Sequence, residues 1–125
     1  RLRDTMRETE ASGFQRVRDE QVALGRAVRE LTTAHGFPSV AAAGFQAPGV
    51  VVSYTTDPDI QNSKKFLAAG LQTAAGVPLQ CDEGADFRTF RIGLFGLDKW
   101  HDVDSTVAHL RTALAAVAPQ PAVAA

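Results

Sequence analysis

A chain of 125 residues, 45% of them hydrophobic, is long enough for one compact core and too short for a two-domain enzyme. Its formal net charge of −1, with acids and bases interspersed, gives no field to recruit nucleic acid or an anionic membrane surface, so neither partner is expected. The single cysteine, Cys81, excludes an intrachain disulfide framework and fits a reducing compartment, which makes the cytoplasm the expected location.

No apolar run approaches the roughly 20 residues that span a bilayer, and Arg1-Leu2-Arg3-Asp4 does not open a signal peptide. The chain starts without Met, and Leu2 and Met6 already follow helical spacing, so it reads as continuing from something longer. A short helical stretch over 1–10 is interrupted at Ser12-Gly13, where glycine is costly in a helix interior. A long helix follows from about Phe14 to Ala34, with Phe14, Val17, Leu24, Val28 and Leu31 as its apolar face and Arg16, Arg18, Asp19, Arg26, Arg29 and Glu30 in water. Gly36 is its expected stop, and Phe37-Pro38 turns the chain toward extended structure.

Ser39 to Ala43 reads as a weak strand and Gly49 to Thr55 as a strong one, joined as a hairpin through Gly44 to Pro48. Asp57-Pro58-Asp59 supplies the cap of a helix predicted from Asp59 to Ala75, burying Ile60, Phe66, Leu67 and Leu71 and ending at Gly76. Val77 to Gln80 is expected as an edge strand, because Pro78 cannot donate to a central ladder, and a polar loop runs from Cys81 to Asp86. The last strand is Phe87 to Leu94. Its alternation puts Phe90, Ile92 and Leu94 in the core with Arg88, which is expected to snorkel at the sheet edge or to make an ion pair. Phe87, Thr89, Arg91 and Gly93 fall on the other face.

After a turn at Leu97-Asp98-Lys99, a final helix over about Asp102 to Val117 buries Val103, Val107, Leu110, Leu114 and Val117. From Ala118 onward, Pro119, Pro121 and small residues read as a disordered tail. The expected fold is a two-layer α+β domain: a small, largely antiparallel sheet covered on one face by helices.

From Phe90-Arg91-Ile92-Gly93-Leu94-Phe95-Gly96 through the terminal amphipathic helix, the sequence resembles the class V aminotransferases of the serine-pyruvate and alanine-glyoxylate type, which depend on pyridoxal phosphate. The resemblance extends back through the helix ending at His35-Gly36-Phe37, the strand Val50 to Tyr54, the helix Asn62 to Ala75 and Val77 to Leu79. It implies the C-terminal small domain of a fold type I enzyme over 13–118, a helical connector from a missing large domain over 1–12, and the tail over 119–125. In that family the arginine of this motif grips the substrate α-carboxylate, and the matching residue is Arg91; Gly93 would leave space beside the substrate. A guanidinium suits the task because its planar fork pairs with a carboxylate through two hydrogen bonds.

The resemblance implies a parent that moves an amino group between a small amino acid and a 2-oxo acid such as pyruvate or glyoxylate, as a homodimer. The aldimine lysine and the cofactor contacts would lie in the large domain, leaving this chain without catalytic or cofactor-binding residues and inactive alone. Lys64 and Lys65 read as the wet face of a helix and Lys99 as a turn residue. Cys81 also raises the related cysteine desulfurases, although Asp82, Glu83 and Asp86 oppose the electropositive setting that a reactive thiol needs. His35, His101 and His109 lack metal-ligand spacing, and Trp100 and Tyr54 read as packing residues. A free-standing, non-catalytic amino-acid-binding regulatory module has the same pattern of elements, and fold alone does not separate it from the aminotransferase domain.

Overall fold

In the computed structural model, which describes residues 1–118, helix α1 (Leu2–Ser12) breaks at Gly13 and helix α2 (Phe14–Ala34) follows directly. Val17, Leu24, Val28 and Leu31 of α2 are buried as their spacing predicts, but Phe14 is 64% exposed, since it stands on the first turn beside α1 and away from the core cluster. The helix stops where expected: the amides of Gly36 and Phe37 bond back to the carbonyls of Thr33 and Thr32 at 3.0 and 2.9 Å. The expected tail over 119–125 lies outside the described residues.

Strand β1 (Val50–Tyr54) forms as predicted, but its hairpin partner does not. Ser39 makes a single antiparallel bridge to Ser53, flanked by Val40 N–H to Val52 O at 3.0 Å and Tyr54 N–H to Pro38 O at 2.9 Å. Pro38 has no amide to extend that ladder, so pairing stops after this contact.

The helix predicted over 59–75 is replaced by two short helices, α3 (Pro58–Gln61) and α4 (Lys64–Ala68). Asp57 caps α3 as expected, accepting from the Asp59 amide at 2.8 Å. The break comes at Asn62-Ser63: the Asn62 side chain takes the Lys64 amide at 3.0 Å, and Ser63 adopts a left-handed φ of 68°. Short polar side chains compete with helical hydrogen bonds in this way. Helix α4 ends at Gly70, which with φ of 78° lets the Leu71 amide close back on Phe66 O at 2.8 Å. Phe66 and Ile60 are buried as predicted and Leu71 is half-buried against the core, whereas Leu67 is exposed.

The outer strand is also displaced from its expected position. Ala74–Ala75 forms the two-residue strand β2, and Val77 to Gln80 pairs with nothing in the sheet. Gly76 sits so close to the carbonyl of Thr89 that a Cβ there would lie 1.8 Å from the oxygen. Beyond it, Pro78 has no amide to offer, and positive φ at Gln80 and Asp82 turns the chain away.

Strand β3 (Thr89–Gly93) is central, pairing antiparallel with β1 on one side and β2 on the other. Helix α5 (Leu97–Trp100) occupies the expected turn, and α6 (Val103–Val117) closes the fold with Asp102 as its cap. Leu110, Ala113 and Leu114 of α6 are buried, with Val103, Val107 and Val117 half-buried beside them. The architecture is thus a small α+β domain with an antiparallel three-stranded sheet. No helix among the described residues is long and apolar enough to cross a membrane.

The core lies between this sheet and the helices. Val51 and Ser53 face it from β1, opposite Ile92 and Phe90 of β3. Phe90 is enclosed by the rings of Phe37 and Phe66, with centroids 5.2 and 5.0 Å away. Leu24 and Val28 of α2 and Leu110 and Leu114 of α6 complete the cluster.

Candidate functional site

The buried side of β3 fixes what its other side can present. With Phe90 and Ile92 in the core, Arg91 must point to the opposite face. The register sets it beside Val52 of β1 and Ala74 of β2. Along that face β1 contributes Val50, Val52 and Tyr54, and β3 contributes Thr89, Arg91 and Gly93, so Arg91 is the only ionisable cation among these strand positions.

Arg91 Nε donates to the Ala75 carbonyl at 3.1 Å. Its two terminal nitrogens have no hydrogen-bond or ion-pair partner among the described residues. Aromatic residues mark both ends of the strip. Tyr54 and Phe87 meet edge to face at 5.8 Å, while the Phe95 ring lies over Gly49 and Gly93. A Cβ at Gly93 would come 3.3 Å from that ring, so the space that the missing side chain leaves is already bordered by Phe95. Phe95 is itself 61% exposed.

Arg88 lies half-buried at the near end of β3, with its guanidinium 3.9 Å from Asp86, in keeping with an edge residue that makes an ion pair. Next to it, the polar loop has an internal order that its sequence does not announce. The Glu83 carboxylate accepts from the amides of Gln80 and Cys81 at 2.8 and 2.6 Å. These backbone donors hold the Glu83 carboxyl at about 2, well below its ordinary value. The left-handed conformations of Gln80 and Asp82 aim the amides inward, a geometry with no side-chain signature. Between this loop and Gly76-Val77-Pro78 lies a groove of about 500 Å³ that reaches Phe87 and Thr89 but not Arg91. Cys81 is exposed, and its thiol is 3.5 Å from the Leu79 carbonyl.

The remaining candidates are dispersed. Lys65 is paired with Asp57, Lys99 contacts Asp98 at 3.1 Å, and Lys64 is exposed on α4. None of the three pairs with an acid beside a phosphate cradle, so the described residues do not fit a pyridoxal phosphate site. His35 Nδ1 lies 2.9 Å from Leu31 O, and His101 Nδ1 lies 2.9 Å from Glu20. Tyr54 packs on Phe87, and Trp100 donates through Nε1 to Leu94 O at 2.9 Å. Among the described residues, no group of three or more His, Cys, Asp or Glu side chains is arranged to hold a metal ion.

The arrangement can do one thing chemically: hold an anion at the Arg91 fork against an apolar, aromatic-edged sheet face. No family model matches this chain, and no curated protein does.

Proposed function

We propose that this chain is the substrate-carboxylate-binding small domain of a pyridoxal-phosphate-dependent aminotransferase of the class V type. The parent would be a cytoplasmic homodimer that moves an amino group between a small amino acid and pyruvate or glyoxylate. The observation that carries the reading is Arg91: one guanidinium on an otherwise uncharged strip, tethered through Nε with its terminal nitrogens unpaired.

The tether matters because a fork held at Nε keeps its terminal N–H groups on one side, in the geometry that a carboxylate accepts through two parallel bonds. The neighbours of Arg91 on that face, Val52 and Ala74, carry no charge that would compete for the bound anion. The role assigned here is positioning rather than bond-making. No step through the cofactor is assigned to these residues, since they do not fit it.

Titration with sodium pyruvate, followed by the side-chain resonances of the arginines and the backbone amides of Val52 and Ala75, tests the reading. Saturable shifts centred on Arg91 that vanish in Arg91→Ala are expected. Shifts spread over all arginines, or unchanged by Arg91→Ala, would sink the assignment. The gene offers a second test: a reading frame continuing upstream into a larger, lysine-bearing domain supports the proposal, and an initiator codon just before Arg1 overturns it.

A further inference from the structure

Helix α2 carries a feature that the Arg91 reading does not use. Arg18, Val22, Arg26 and Arg29 recur at helical spacing along one side of it. The segment Gln46 to Pro48 is drawn against that side. Gly25 makes the approach possible, since a Cβ there would stand 2.4 Å from the Pro48 carbonyl oxygen. Two side chains hold the segment in place. Gln21 Nε2 donates to Pro48 O at 3.0 Å, and Arg29 Nη2 donates to Ala47 O at 2.9 Å.

The result is a groove of about 570 Å³, walled by Arg18, Arg26 and Arg29 with Val22 and Pro48 between them. Glu30 is the one acid in its wall. Arg18 lies 3.7 Å from Asp19, which offsets its charge, but Arg26 has no ion pair among the described residues. Arg29 Nη1 donates to the Gly25 carbonyl at 3.3 Å as Nη2 does to Ala47, while its Nε is buried without a partner and burial pushes the guanidinium below its usual value. Arg26 and Arg29 stand about 4.5 Å apart along the helix axis, just under one turn, so both charges border the same groove.

We infer that this groove binds a small organic phosphate, with the phosphoryl oxygens on Arg26 beside the fixed charge of Arg29 and the carbon portion against Val22 and Pro48. Arg26, whose side chain makes no bond within the described residues, can present its planar fork to two phosphoryl oxygens, while Arg29, tied to the Gly25 and Ala47 carbonyls, adds a fixed positive charge beside it. The volume falls within the range of small-molecule sites. The apolar residues between the arginines give a carbon skeleton a seat that a bare ion would not need. A chain of net charge −1 does not present the broad positive surface that a polyanion prefers, which sets the small ligand ahead of nucleic acid.

The test uses phenyl phosphate and inorganic phosphate as probes, with the backbone amides of Gly25, Gln46 and Ala47 as reporters. Phenyl phosphate is expected to give saturable shifts at those amides and to bind more tightly than inorganic phosphate. Arg26→Ser removes a side chain without intrachain bonds, so it leaves the fold intact, and it is expected to weaken phenyl phosphate about tenfold or more. Arg91→Ala is expected to leave that binding unchanged, which separates this site from the proposed carboxylate grip. Non-saturable or scattered shifts, indifference to Arg26→Ser, or equal binding of the two probes would overturn the inference. Tighter binding of a single-stranded decanucleotide at the same amides would overturn it in favour of a polyanion track.

Discussion

Arg91 and Ala75 are joined by a hydrogen bond across the outer edge of the sheet, from guanidinium Nε to backbone carbonyl over 3.1 Å. The bond orients the side chain on a surface where it would otherwise be free to swing. Arg91→Ala is expected to leave stability within about 0.5 kcal/mol, as for most surface changes. In the proposed parent enzyme it should raise KM for both the amino-acid and the 2-oxo-acid substrate by roughly ten- to a hundredfold while sparing cofactor binding, because a charge-assisted pair contributes about 1.5–3 kcal/mol. Arg91→Lys should recover only part of the loss, since an ammonium lacks the planar fork. Steady-state kinetics on the full enzyme with unchanged KM values would remove Arg91 from the site.

Ser53 points into the core beside Val51 and opposite Phe90, and its buried hydroxyl has no hydrogen-bond partner among the described residues. An unmade bond at a buried hydroxyl costs about 1–3 kcal/mol. Ser53→Ala removes the orphan with almost no change of volume. Urea denaturation should show the variant to be as stable as the parent or up to about 1 kcal/mol more stable. A clear loss of stability would mean that the hydroxyl does have a partner.

Gly76 is predicted to be the least replaceable residue of the loop that leaves β2. A methyl group there would lie 1.8 Å from the Thr89 carbonyl oxygen and 2.7 Å from Thr89 Oγ1. Neither atom can yield freely, since Thr89 sits in the central strand and is buried. Gly76→Ala should therefore destabilise the fold by about 1–3 kcal/mol or more, the usual range for forced overpacking. The contrasting variant is Gly84→Ala, where a Cβ meets nothing within 4 Å. Equal thermal midpoints for the two variants would refute the clash.

The Glu83 loop should respond to acid. Its folded carboxyl titrates at about 2 against an ordinary 4.5, held down first by the Cys81 amide and next by that of Gln80. A lowered folded value means that the ionised form favours the ordered loop. This contribution is complete above about 4.5 and is lost as pH falls toward 2. Amide resonances of Gln80 and Cys81 should move together across that window. Glu83→Gln should show the disordered-loop positions already at neutral pH. Resonances that stay fixed down to pH 2 would disprove the hold.

The architecture was largely legible in the sequence, and the reasons are visible in particular residues. The periods of α2 and α6 exposed Leu24, Val28, Leu110 and Leu114 as core, and the alternation of β3 separated Phe90 and Ile92 from Arg91. What stayed hidden depends on contacts between distant segments. Helical spacing runs from Ile60 to Leu71, yet Asn62 and Ser63 break it with local hydrogen bonding that competes on nearly equal terms. Ala74 and Ala75 carry no strand propensity and are in the sheet because β3 offers them an edge. At the candidate site, alternation gave the direction of Arg91, but neither its bond to Ala75 nor the hold on Glu83 leaves a pattern in the chain, since both acceptor and donors are backbone.

The order of the strands, β1-β3-β2, has a consequence for how the protein is made. The central strand is the last of the three to leave the ribosome, and about forty residues separate Val50 from its partner Gly93. Until Thr89 to Gly93 has emerged, β1 has only Ser39 to bridge with and β2 has nothing. The nascent chain must therefore carry the bare edge of β1, and later that of β2, with Val51 and Phe66 unburied, until β3 follows. A ribosome stalled anywhere between Tyr54 and Phe87 would display an aggregation-prone intermediate, and one released just past Gly93 would still lack the α6 layer that seals the core.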